Sequence, residues 1–163
     1  MAEIATFTLD ALEAHLKRAT EPNRILDFVL YCFLGTERGK AHRRIESDLI
    51  KSLAWMQKTV DAYTANVDDI QALALPFGVV LKCEAQAGGI LTAYAFDLEN
   101  LDAEPVMARS ATECLSLAAA LVAFLRSPAG ENRLLDGDKN LRTVRRIDYP
   151  GMVRAPVDNA ASA

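Results

Sequence analysis

Few residues in this chain have the type and spacing that chemistry needs. His15 and His42 are the two histidines, and neither has a Cys, Asp or second His at metal-ligand spacing. Catalysis through either requires a nucleophile within hydrogen-bond reach, which no sequence neighbour supplies. The three cysteines, Cys32, Cys83 and Cys114, lie far apart in apolar sequence. Without C-x-x-C spacing they read as buried free thiols in a reducing compartment. Asp97, Glu99, Asp102 and Glu104 cluster in "DLENLDAEP" but lack the glycine-containing calcium loop, so they read as a solvated loop after a strand. "GTERGK" invites comparison with a phosphate-binding loop. It has three residues between Gly35 and Gly39 where four are needed, Ala41 in place of Ser or Thr, and a helix before it. The expectation is therefore no catalytic residue, no cofactor and no metal.

Two basic groups could meet a partner. Arg38, Lys40, Arg43 and Arg44 form a run with only His42 interleaved and no aromatic stacker, which reads first as a solvated loop. Near the C-terminus Arg145 and Arg146 precede Tyr149 and Pro150, and "RRIDYPG" has the look of a docking peptide. A third stretch, "VDAYTANVDDIQALALPFG", places Tyr63, Thr64 and Asp68 just before a strand. Here Asn66 is a helix N-cap with Asp69 in the first turn, and Pro76 and Gly78 end that helix. Tyr63 and Thr64 then mark how the chain enters the turn, not a nucleophile and its helper.

The elements that must position these residues follow from length and pattern. The chain has 163 residues, of which 51% are hydrophobic, enough for one domain with a packed core. Its longest apolar stretches, "ILDFVLYCFLG" and "LSLAAALVAFL", fall short of the roughly 20 residues that cross a bilayer. The N-terminus has no basic region or apolar run of a secretory signal, and the expected location is the cytoplasm. The net charge of −4 is unevenly spread: residues 61–113 hold nine acids against two bases. Nucleic acid is a poor partner for such a surface, and a basic protein face a better one.

Thr8 caps a helix over 8–19, in which Leu9, Leu12 and Leu16 recur at helical spacing. Thr20 or Asn23 caps a second helix, ended by Gly35 and apolar nearly all round. The segment 36–59 starts basic and turns partly helical, which reads either as an insertion docked on the domain or as a partly mobile segment. Short helix 66–74 precedes a change of period. "GVVLKCEA" and "ILTAYAFDL", joined through Gly88 and Gly89, predict a β-hairpin. "EPVMARS" offers a third strand or an extended approach. Ser110, with Glu113 three residues on, predicts the capped start of an alanine-rich helix that Pro128 and Gly130 end. Residues 1–127 thus form one domain, and 128–163 read as a loosely packed or extended tail.

The ordered series of an opening helix pair, "AYTANVDDIQAL", "GVVLKCEA", "AGGILTAYAFDL" and "SATECLSLAAALVAFL" resembles the ABA-sandwich domains encoded by phages and prophages. The likeness covers residues 9–35 and 62–126. The closing helix of such domains commonly begins Thr-Pro, where this chain has Thr112-Glu113, and the 36–59 segment is longer than the family leads one to expect. The resemblance implies an α+β fold, a small antiparallel sheet with helices packed on both sides (an α-β-α sandwich). It implies phage or prophage origin and no assigned activity, so it carries over no catalytic residue. Tyr63, Thr64 and Asp68 match a structural signature. The function expected is non-enzymatic: an accessory protein that binds a host or phage protein, such as an inhibitor of a bacterial defence system. The alternative is a small-ligand or nucleotide sponge lined by "AGGILTAY", the 38–44 loop and Tyr63. A homodimer through a hairpin edge or the tail is open to the chain, and a membrane is not expected.

Overall fold

The structure, a computed structural model, describes residues 4–35, 54–55, 57–135 and 143–147. Strand β1 (Ile4–Thr8) turns at once into α1 (Leu9–Arg18), because Thr8 caps the helix through a 3.1 Å bond from the Ala11 N–H. Leu12 and Leu16 are fully buried on its inner side. His15, on the same helix, is buried as well, at 5% exposure. The inward stripe of α1 is wide enough to take it in.

Helix α2 (Arg24–Leu34) starts at Asn23, whose Oδ1 accepts from the Ile25 and Leu26 N–H groups at 2.8 and 3.1 Å. Gly35 ends it in extended backbone, and a Cβ there would run into the Tyr31 ring and lie 2.7 Å from the Tyr31 carbonyl oxygen. Residues 54–55 and 57–59 are helical, and Trp55 meets the Tyr31 ring edge-on at 6.0 Å. Helix α3 (Val67–Ala74) has Asn66 as its cap, with Ile70, Leu73 and Ala74 turned inward.

The main sheet is antiparallel, in the order β2 (Val79–Ala85), β3 (Leu91–Asp97), β4 (Val106–Arg109). Val79 lies opposite Asp97 and Ala85 opposite Leu91. The β2–β3 connection turns on Gly88 and Gly89, both left-handed (φ 85° and 78°), where a side chain would be strained. Helix α4 (Glu113–Arg126) packs across all three strands and is buried on nearly every side. Val79, Leu81, Ala93, Ala95 and Ala108 line the covered face, and the alanines of β3 let α4 approach closely.

Ser110 does not cap α4. Thr112 does, accepting from the Leu115 N–H at 3.2 Å. Ser110 instead donates to the Leu16 carbonyl at 2.6 Å, a tertiary bond that holds the β4–α4 corner on α1. Nor does Pro128 end the helical structure. It opens α5 (Pro128–Leu135), where a missing N–H costs nothing. Arg133 of α5 grips Asp97 at 2.8 and 2.9 Å and stacks 5.3 Å from the Phe124 ring centre. Strand β5 (Thr143–Ile147) pairs antiparallel with β1, Ile4 opposite Ile147.

The α+β class with a small antiparallel sheet and helices packed against it is what the chain forms. The sheet rests on α4, α4 on α1, and α1 on α2. Apolar nearly all round, α4 offers α1 a partner on the side turned away from the sheet, whose second face is half polar. That face carries Val80, Lys82 and Glu84 from β2, and Thr92, Tyr94 and Phe96 from β3, followed by Met107 and Arg109.

One side chain occupies the outer edge of β2 at Leu81. Gln71 of α3 accepts from the Leu81 N–H at 3.2 Å and donates back to the Leu81 carbonyl, as a neighbouring strand would. Gln71→Ala leaves both groups without these bonds, and we expect a loss of about 1–2 kcal/mol in urea unfolding with the m-value unchanged.

Candidate functional site

The turn at Tyr63 and Thr64 is built against the start of α2. The Thr64 N–H donates to Asp27 Oδ1 at 2.8 Å, and the Thr64 hydroxyl donates to the same oxygen at 2.8 Å. That hydroxyl accepts from the Asn23 N–H at 2.9 Å. Arg24 reaches Asp27 Oδ2 at 3.3 Å and uses its other donors on the Val60 and Asp61 carbonyls, the latter at 2.9 Å. It also lies 5.0 Å from the Phe28 ring centre. Asp69 accepts from the Ala62 N–H at 3.1 Å and closes the other side of the turn. One buried carboxylate, one hydroxyl and one guanidinium thus fasten the 57–64 segment to α2.

The electrostatics fit a scaffold. Burial pushes the Asp27 carboxyl up, against the bonds from Thr64 and Arg24 that favour its charge. Tyr63 is 4% exposed, and burial, followed by the charge of Asp61, drives its phenol far above the usual tyrosine range. It stays protonated and inward. Asp68 is exposed in the first turn of α3, where a carboxylate suits the helix dipole. Asp27 accepts the Thr64 proton, but Thr64 is 1% exposed and its hydroxyl oxygen is taken by the Asn23 N–H, so it has no open side from which to attack a substrate.

The remaining candidates do not converge. Arg38, Lys40, Arg43, Arg44, His42 and Tyr149 lie outside the described residues. Arg145 and Arg146 sit in β5, opposite Thr6 and Ala5. Asp97 is buried: burial raises its carboxyl, and the Arg133 guanidinium and Glu99 N–H outweigh that and hold it below the usual range. Glu99 joins the same arginine at 3.3 Å, while Asp102 and Glu104 are exposed. No group of three His, Cys, Asp or Glu among the described residues could hold a metal. The thiols are poor nucleophiles. Burial lifts Cys32 to about 12, and burial with Glu113 raises Cys83 and Cys114.

Sequence reasoning missed Arg24 and Asp27, and read Asn23 only as a helix cap. Their signal was a lone acid in the first turn of an otherwise apolar helix. It also missed the open face of the sheet. On that face Val80 is 38% exposed and Met107 56%, with Tyr94 and Phe96 half-buried between them. Leu98 continues the row, its N–H bonded to the Gly78 carbonyl at 2.8 Å. Lys82, Glu84 and Arg109 border it. No described helix is long and apolar enough to cross a membrane. Comparison with protein-family models, with curated proteins and with solved structures brings no match to this chain.

Proposed function

We propose that the chain is a non-enzymatic phage or prophage accessory protein that acts by binding a host or phage protein, with inhibition of a bacterial defence system as the form to test first. The observation that supports this reading is the open sheet face, where Val80, Phe96, Leu98 and Met107 form an apolar row with charged residues at its margin. Side chains of this kind in a contiguous patch suit a protein surface. The alternative of a small-ligand sponge loses Tyr63, which is packed in the core and has no face to offer a ligand.

Affinity capture from infected and uninfected bacterial lysate tests the proposal. The wild-type chain should recover a specific partner. The double variant Val80→Glu, Leu98→Glu should lose it at least roughly tenfold, with its melting curve unchanged. Recovery of no specific partner, or full binding by the variant, would sink the proposal.

A further inference from the structure

Hydrogen-bond parity singles out one edge of the sheet. Leu81 turns its N–H and C=O away from β3, towards Gln71, while the Leu98 N–H bonds the Gly78 carbonyl. In an antiparallel ladder these two facts fix the alternation for the whole sheet. Ala93 and Ala95 then bond Ala108 and Val106, and Met107 and Arg109 point their backbone groups outward from β4. Among the described residues no strand pairs with that edge. Edges of this kind are templates for another strand.

We propose that β4 is the seam of a homodimer, two copies pairing antiparallel with Met107 opposite Met107 to make one continuous sheet. This does not rest on the function proposed above. The register follows from where the edge can bond. Pro105 has a carbonyl but no N–H, so the ladder stops there. With Met107 on the two-fold axis, the two Met107 residues exchange bonds and each Arg109 N–H reaches the carbonyl of the partner's Pro105. The charges match. Arg109 comes beside the Glu104–Pro105 segment of the second copy, and both Arg109 and Glu104 are exposed in the single chain. The Arg109 Nε donates to the Thr92 hydroxyl of β3 at 3.1 Å, and from that position over the sheet the exposed guanidinium swings outward to meet the partner's Glu104. Met107, more than half exposed, meets its own copy and is covered. A foreign strand would gain the same backbone bonds without the paired methionines or the charge match at both ends.

Sedimentation of the full chain from about 1 to 200 µM tests the seam, together with amide hydrogen exchange at both ends of that range. A monomer–dimer equilibrium is expected, with the Met107 and Arg109 amides slowed in the dimer. Met107→Glu sets two carboxylates face to face and should raise the dissociation constant at least roughly tenfold. Leu101→Glu, 77% exposed in the β3–β4 loop, should leave the dimer intact. A monomer at every concentration overturns the proposal. So does a dimer that survives Met107→Glu, or one in which the two amides exchange as fast as in the monomer. The exchange measurement needs no substitution, so it decides the matter even if the variant folds poorly.

Discussion

Tyr63→Ala lowers the stability of the domain by about 3–5 kcal/mol, the range for emptying a buried aromatic site. Domains of this size are stable by about 5–15 kcal/mol, so the variant should be partly or wholly unfolded near room temperature. The expectation rests on the packing of Tyr63 within the core, at 4% exposure. Tyr63→Phe tests the ring alone. It keeps the packing and should cost no more than about 0.5–1.5 kcal/mol. Urea unfolding followed by circular dichroism reads both. Near-native stability in the alanine variant would mean that the turn is not scaffold, and a binding role for Tyr63 would be open again.

The Asp27 network gives the second large effect, and it depends on pH. Asp27→Ala strands the Thr64 N–H and hydroxyl, and removes a partner of Arg24. We expect a loss of about 2–4 kcal/mol, because buried groups that lose a charged partner keep their desolvation cost. Asp27→Asn retains an acceptor for Thr64. Since burial raises the Asp27 carboxyl, its contribution is fully present below the ordinary value of about 3.9 and is lost as pH rises through the higher folded value. The asparagine variant lacks that loss, so the wild type's advantage over it should shrink between acid and neutral pH. Asp97 has the opposite sign. Its lowered carboxyl contributes above the ordinary range and loses that contribution as pH falls. Comparing Asp27→Asn with wild type at each pH cancels the Asp97 effect. An advantage that grew towards neutral pH would contradict the assignment.

Local signals made most elements legible. Thr8, Asn23 and Asn66 cap helices where a short polar residue precedes an apolar period, and the glycines of "AGG" supply the left-handed turn between two alternating strands. What failed to show depends on partners distant in sequence. Ser110 satisfies every local rule for a cap, yet its hydroxyl is taken by Leu16, so Thr112 inherits the cap. Pro128 is a stop signal for one helix and a start for the next, and only Arg133 reaching Asp97 decides which. The buried pair at the turn was half visible. Thr64 stood out in its motif, but Asp27 is 37 residues away and only the fold brings them together. The open sheet face is hidden in the same way. Val80 alternates away from Val79 and Leu81 in the sequence, but that its face stays open beside Met107 shows only once α4 is seen on the other side.

Gln71 also limits what the sheet can become. A flat sheet with two unguarded margins can add copies without end, the route by which ordered proteins polymerise into fibrils. Here one margin is occupied at Leu81 by an amide that belongs to the chain itself. Growth of this sheet is then hindered on that side, and pairing across β4 favours a closed pair over a filament.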